Sequence, residues 1–292
     1  MRANTDCSRG RLDKSLNLYR ETRKLLRRHR IFSKKRWGQN FAIDSGLLYS
    51  MIAYADLNKS DVVLEVGAGL GFLTRLLSLR CKKVIAVEVD HKLVYVLSEQ
   101  LYNLQNVELV EGDVLTANTP SFDKVVSTPP YSISSPLLFW LLDRPFKLAV
   151  LTFQEEFAKR LTASVGSKDY SRLTVATYYR SDAELLDHVP RTSFYPPPDV
   201  DSIIVRLKPK PAPFKVKDKK AFFELVQMAF TQRNRKLRNA VVPFIIKQGL
   251  RKDVAQRLAD TLTFHDKRVR ELAPEDFGAL ANEILEKTSS VR

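Results

Sequence analysis

Two groups of residues in this chain have types and spacing suited to binding a nucleoside-like ligand. One is Gly67-Ala-Gly-Leu-Gly71, directly after the apolar run Val62–Val66. Glycines there let the backbone turn tightly and approach a ligand with no Cβ in the way. A dinucleotide fingerprint would need a glycine where Phe72 stands, which disfavours NAD and FAD. The other group is an ordered series of acids: Glu65 beside the glycines, Glu88 at the end of the next apolar run, and Asp113 in Glu111-Gly-Asp113 after the run beyond that. Glu88 lies 21 residues past Gly67, where a carboxylate can accept both hydroxyls of a ribose. Asp113 can accept from an adenine amine, and Glu65 can face an ammonium group through water. Singly, each acid reads as a solvated strand end. With a glycine loop at successive strand ends, they converge on the crevice where open α/β sheets bind ligands.

The elements that must position these groups follow from periodicity. Runs at 61–66, 83–88, 107–111, 124–127 and 147–153 are rich in valine and isoleucine and predict strands. Stretches at 74–80, 92–102 and 136–142 between them have helical patterning. Such alternation predicts an α/β fold with a mostly parallel sheet and helices on both faces. A helix is expected at 154–164 and two further strands at 173–179 and 201–207, with Tyr195-Pro-Pro-Pro198 as a rigid loop between those strands. The segment 208–220, rich in proline and lysine, marks a domain boundary, and 221–240, 242–262 and 273–287 read as helices of a small all-helical C-terminal domain. Spaced apolar residues among arginines predict a basic helix within residues 1–30.

After the fourth strand comes Val125-Val-Ser-Thr-Pro-Pro-Tyr131, a third chemical group. Here the chain resembles the small-subunit ribosomal RNA adenine N6,N6-dimethyltransferases, which use S-adenosylmethionine. The resemblance covers about residues 33–240 and rests on Lys34-Lys-Arg-Trp-Gly-Gln-Asn-Phe41, Glu65-Val-Gly-Ala-Gly69, Glu111-Gly-Asp113 and Pro130-Tyr-Ser-Ile-Ser-Ser-Pro136. It continues through Gln154-Glu-Glu156, Tyr170-Ser-Arg-Leu173, Phe194-Tyr-Pro-Pro-Pro-Asp-Val-Asp-Ser202 and Phe230-Thr-Gln-Arg-Asn-Arg-Lys-Leu-Arg-Asn239. The resemblance implies a Rossmann-like class I methyltransferase sheet over 33–207. The charge and spacing of 1–32 add a basic helical extension, and the helical domain over 208–292 is expected to bind RNA or the ribosome. Cofactor contacts carried over in this way fall on Asn40, Ala42, Gly67, Glu88, Asp113 and Thr128; Glu65 and Gly69 join them from the reading of the loop itself.

The family places Asn, then commonly Leu, at the start of the reaction loop, whereas this chain has Thr128-Pro129. An exocyclic adenine amine is a weak nucleophile because its lone pair is delocalised into the ring. Two acceptors holding its hydrogens pyramidalise the nitrogen and aim the lone pair at a methyl donor, so positioning and electrostatics supply the acceleration. The resemblance assigns these roles to residue 128 and to the backbone carbonyl of Pro129, with Tyr131 stacking on the base. Thr128 offers a shorter acceptor than Asn would, which implies retained N6 methylation with a slower second methyl. Phe194 or Tyr195 is expected on the opposite face of the base. Arg233, Arg235, Lys236 and Arg238 are expected to bind phosphate, and Lys34, Lys35 and Arg36 to guide RNA toward the cofactor.

Charge placement supports a nucleic-acid enzyme. The formal charge is +15, with 13 Lys and Arg against 3 Asp and Glu in residues 1–36, 16 against 20 in 37–207, and 19 against 10 in 208–292. Basic ends that neutralise phosphates release counterions. Two cysteines and four scattered histidines argue against a disulfide framework or a metal site, and no run is long and apolar enough to cross a membrane. A cytoplasmic monomer acting on small-subunit rRNA within a pre-ribosomal particle is expected. The arginine-rich start is also typical of mitochondrial presequences, but Asp6, Asp13 and Glu21 count against one. Two other readings stay open: an adenine methylase of DNA or another RNA, the DNA N6-adenine methylases being set apart by their lack of the Gln232–Asn239 segment, and a non-catalytic assembly or transcription factor on the same fold, which would not bind the cofactor.

Overall fold

The computed structural model describes residues 17–32 and 38–291, so Lys34, Lys35 and Arg36 lie outside the described residues. The chain begins with α1 (Leu18–Arg28), β1 (Phe41–Ala42), α2 (Ser45–Tyr54), β2 (Val62–Val66), α3 (Phe72–Ser78), β3 (Lys83–Glu88) and α4 (His91–Leu101). It continues through β4 (Val107–Glu111), β5 (Lys124–Ser127), α5 (Ser134–Leu142), β6 (Leu148–Gln154), α6 (Glu155–Leu161) and α7 (Arg172–Arg180). Then come β7 (Ser181–Val189), β8 (Phe194–Tyr195), β9 (Ser202–Pro209), α8 (Lys219–Phe230), α9 (Leu237–Ala240), α10 (Val242–Lys247), α11 (Lys252–Asp260) and α12 (Pro274–Val291).

Seven strands form one sheet in the order β4-β3-β2-β5-β6-β9-β7. The first five are parallel, and β9 runs antiparallel to both β6 and β7. Alternate strand residues feed two layers, as a pleat of period two requires. Val63, Val84, Ala86 and Val126 pack with the apolar faces of α1 to α4. Leu64, Ile85, Val87 and Val125 pack on the other side with α5, α6 and Leu173 of α7. Strand order reverses between β2 and β5: the chain moves outward from β2 to β4, then returns to lay β5 on the far side of β2. Loops leaving those two strand ends diverge and open a crevice. The glycine turn leaves β2 and the Thr128–Tyr131 loop leaves β5, so topology alone sets the two motifs face to face.

Residues 173–179, expected as a strand, are instead in α7. Thr174, Val175 and Thr177 favour β structure locally, but burial decides. Leu173 packs toward the sheet, while Val175 and Tyr179 join the core of α8 to α12. A helix buried on several sides shows no amphipathic period to read. At its start the Ser171 N–H donates to Thr174 Oγ1 at 3.1 Å. The strand that follows, β7, was not expected because its acidic and polar residues mask the alternation. It pairs only with β9, at the sheet edge, where polar side chains are tolerated. The long helices expected at 221–240 and 242–262 are each broken: Gly249 adopts φ +97° before α11, and Thr231–Lys236 turns between α8 and α9.

Candidate active site

The crevice at the switch point has three adjoining compartments that all share Gly67. Its floor is the turn after β2, where the N–H groups of Gly67 and Ala68 donate to the Val87 carbonyl at 2.8 and 3.2 Å. Gly67 has φ +74°, and a Cβ there would stand 2.9 Å from Pro130 Cδ. Gly69 has φ +60°, and its Cβ would press on the Phe41 ring at 3.3 Å. Both conformations favour glycine, and the close packing ties the turn to the reaction loop on one side and to β1 on the other.

Glu88 ends β3 and binds the turn directly. Its carboxylate accepts N–H groups from Gly69, Val89 and Asp90, all at 3.0 Å. Burial pushes its pKa up, with the backbone N–H groups opposing that shift. Asp113 borders the apolar compartment formed with Val66, Val87, Val114 and Ile133, and its Oδ1 accepts the Leu115 N–H at 2.9 Å. That slot, flat and apolar with an acid at its rim, suits an adenine ring.

Glu65 sits below the turn in a compartment with Asn40, Ala42, Gly69 and Thr128. It is 2% exposed, and its Oε2 has no hydrogen-bond partner among the described residues. Burial, with a further contribution from the charge of Glu88, pushes its pKa up to about 8. A buried carboxyl with an unspent oxygen is stabilised by a nearby positive charge. A cofactor carrying a ribose, an adenine and cationic groups therefore fits the residues present.

The far wall is the reaction loop. Thr128 is half-buried and borders two compartments, and Pro129, Pro130 and Tyr131 line the outer one with Phe194. Tyr131 holds its hydroxyl 2.6 Å from Ser202 Oγ, and burial pushes that phenol up to about 12, so it stays neutral. The Phe194 ring meets Tyr131 edge-on at 6.2 Å between centroids. Tyr195, expected beside Phe194, faces elsewhere: its ring packs against Tyr19 of α1 at 5.5 Å. Successive strand residues point to opposite faces, so β8 sends one aromatic to the crevice and one away from it.

Among the described residues, the crevice does not gather the C-terminal cations. The Arg233 guanidinium donates to the carbonyls of Lys168 and Ser167 at 2.7 and 2.9 Å, tying the turn after α8 to the loop before α7. Lys236 and Arg238 pair with Asp266 at 2.8 and 3.2 Å. Arg235 is exposed with no ion-pair partner among the described residues. Sequence reading missed Phe41, Pro130 and Ser202 as parts of the site. All three stand at the ends of motifs that carry the family resemblance, but the pairing of Ser202 with Tyr131, 71 positions away, had no signal.

The profile of the family described as "Ribosomal RNA adenine dimethylase" matches residues 31–284. A protein of Methanosarcina acetivorans named "Probable ribosomal RNA small subunit methyltransferase A" is 46% identical over 253 residues, covering 86% of this chain and 93% of that one. A solved dimethyladenosine transferase from Plasmodium falciparum superposes with TM-score 0.72 at 30% identity, covering 86% of this chain and 98% of the other. The 23S rRNA methyltransferase ErmE superposes with TM-score 0.61 at 28% identity, covering 84% and 99%.

Proposed function

Because the chain belongs to the ribosomal RNA adenine dimethylase family, we propose that its crevice methylates N6 of two adjacent adenosines near the 3′ end of small-subunit rRNA. The chain is an rRNA adenine dimethyltransferase that uses S-adenosylmethionine. The observation that carries the residue-level reading is the meeting of the glycine turn and the Thr128–Tyr131 loop across the β2/β5 switch point.

When bound, S-adenosylmethionine supplies an electrophilic methyl on a sulfonium. Glu88 binds the ribose hydroxyls, Asp113 orients the adenine amine, and Asn40, Ala42 and the Gly67–Gly69 turn hold the remainder, with Glu65 compensating positive charge. Thr128 Oγ1 and the Pro129 carbonyl accept the two hydrogens of the target amine. So held, the amine lone pair would be aimed at the methyl that the bound cofactor would supply, and the amine proton released on transfer would pass to solvent. Tyr131, fixed by Ser202, stacks on the extruded base, a contact worth roughly 1–3 kcal/mol. Phe194 buttresses that ring from its edge. Arg235 contacts phosphate, while Arg233 holds the C-terminal helices against α7.

The assembled reading is a cytoplasmic monomer that works on a pre-ribosomal particle during ribosome biogenesis, with residues 208–292 as its ribosome-facing domain. Among the described residues no helix is long and apolar enough to cross a membrane. The test is methyl transfer from labelled S-adenosylmethionine to small subunits lacking the modification, followed by nucleoside analysis. N6,N6-dimethyladenosine at neighbouring positions is the expected product; label confined to DNA or to no nucleic acid overturns the reading.

A further inference from the structure

Helix α1 precedes the residues matched by the family profile, yet it is not a loose arm. Leu18, Thr22, Leu25 and Leu26 are buried against the core under the sheet. Glu21 bonds Arg75 of α3 at 3.0 Å, and His29 lies 3.4 Å from Glu99 of α4. These contacts fix the rotation of the helix, so its other face is fixed as well.

That face carries Arg20, Arg23, Lys24, Arg27 and Arg28, all exposed and none with a carboxylate partner among the described residues. They line a groove with Tyr19, Phe32, Tyr195 and Pro196. Phe32 is 83% exposed, and the Arg23 guanidinium lies over the Tyr19 ring at 5.6 Å. Unpaired like charges within three helical turns repel one another and are stabilised by a polyanion. Cations interleaved with aromatic faces match single-stranded nucleic acid, whose phosphates and bases need both. Strand β8 joins this groove to the crevice: Phe194 lines the crevice and its neighbour Tyr195 lines the groove.

We propose that the α1 groove binds the RNA strand flanking the target nucleotide, with phosphates on the α1 cations and bases against Phe32 and Tyr195. This rests on the rRNA methyltransferase reading and extends it to an element outside the family match. A single extruded base gives little hold on its own, and a second anchorage joined to the crevice through the adjacent residues Phe194 and Tyr195 raises the local concentration of the base at the reaction loop.

The test uses the full chain with Arg20, Arg23 and Arg27 all changed to Gln, and a companion with all three changed to Lys. Binding to a single-stranded hairpin-loop RNA is measured against salt concentration, alongside methyl-transfer kinetics on small subunits. The Gln variant should lose about two units of the log–log salt slope, from roughly 0.7 per lost phosphate contact, and raise KM for RNA about tenfold. Its kcat at saturating RNA and its affinity for S-adenosylmethionine should stay as in the parent protein, and the Lys variant should restore KM. Unchanged slope and KM in the Gln variant overturn the proposal. So does normal binding to free RNA with weakened binding to intact subunits, which would mean a ribosomal protein seats there. A parent protein that binds RNA with the expected slope but transfers no methyl group would sink the proposed function and leave the groove standing.

Discussion

In the crevice Glu65 Oε2 is buried without a hydrogen-bond partner among the described residues and Thr128 opens onto two compartments, whereas in Thr231–Asn239 three of the four cations already have partners within the protein. Both regions are dense in residue types that do chemistry. The difference lies in reserve. A site that must hold a ligand keeps hydrogen-bonding and charge capacity unspent, which costs stability in its absence. A segment that joins two parts of a fold spends most of that capacity internally, as Arg233 does with its two terminal nitrogens on the Lys168 and Ser167 carbonyls, although its buried Nε has no partner among the described residues. The α1 face resembles the crevice in this respect: among the described residues its cations have no carboxylate partner.

The hardest test of this contrast is Gly67→Ala. Its Cβ would meet Pro130 Cδ at 2.9 Å at a φ of +74°, so either the turn or the reaction loop must shift. Methyl transfer should fall about a hundredfold or more, because small misplacements at a reacting centre are that costly. A variant with normal kcat and KM would show that the crevice is looser than its packing indicates.

Glu65→Gln sharpens the same point through pH. The unfolded carboxyl titrates near its ordinary 4.5, and the folded one near about 8, so between those values the folded state holds the extra proton. The stability this proton provides is fully present below 4.5 and lost as pH passes 8, so thermal stability should decline across that window more steeply in the parent than in the Gln variant. The buried Glu88, also raised, contributes with the same sign in both proteins. A cationic ligand favours the ionised carboxylate, so affinity for S-adenosylmethionine should rise from pH 6 toward pH 8.5 in the parent and flatten in the variant, read by titration calorimetry. Parallel profiles would break the assignment.

On the other side of the comparison, Arg233→Ala should lower stability by about 2 kcal/mol, since it removes charge-assisted bonds to two carbonyls, and leave KM for RNA unchanged where the protein is folded. Arg235→Ala should do the reverse, leaving the melting temperature alone and raising KM a few-fold. If Arg233→Ala raises KM without a thermal shift, the distinction between spent and unspent cations fails there. The smallest effect is expected from Thr128→Asn: a few-fold rise in the ratio of dimethyl to monomethyl product, with cofactor affinity constant, measured by nucleoside chromatography.

The central strands were legible because each is a short valine-rich run bounded by turn residues, and β3 occupies the residues its pattern indicates, Lys83–Glu88. The glycine turn and the ordered acids were legible for the same reason, being fixed to strand ends by a few residues of chain. Residues 173–179 were misread, since a helix buried between a sheet and a helical cluster carries β-like composition and no polar face. The acidic edge strand β7 was invisible because its pairing partner, not its own pattern, makes it a strand. Which compartment Tyr195 faces and what Arg233 bonds were not legible, since they depend on strand parity and on a loop 65 residues away.

The amino-acid order by itself determined the alternation of strands and helices, the turn that only glycine can make, and the acids that close successive strands, because these depend on neighbours within a few bonds. Tertiary structure decided which of those motifs meet, since the order of strands in the sheet brings residues 67 and 130 together, and the placement of β8 beside β1 decides that Phe194 rather than Tyr195 reaches the crevice. It also decided which charges remain available. Availability depends on what each side chain finds across the fold: Glu65 Oε2 has no hydrogen-bond partner among the described residues, whereas two Arg233 nitrogens reach carbonyls, and no local pattern records that.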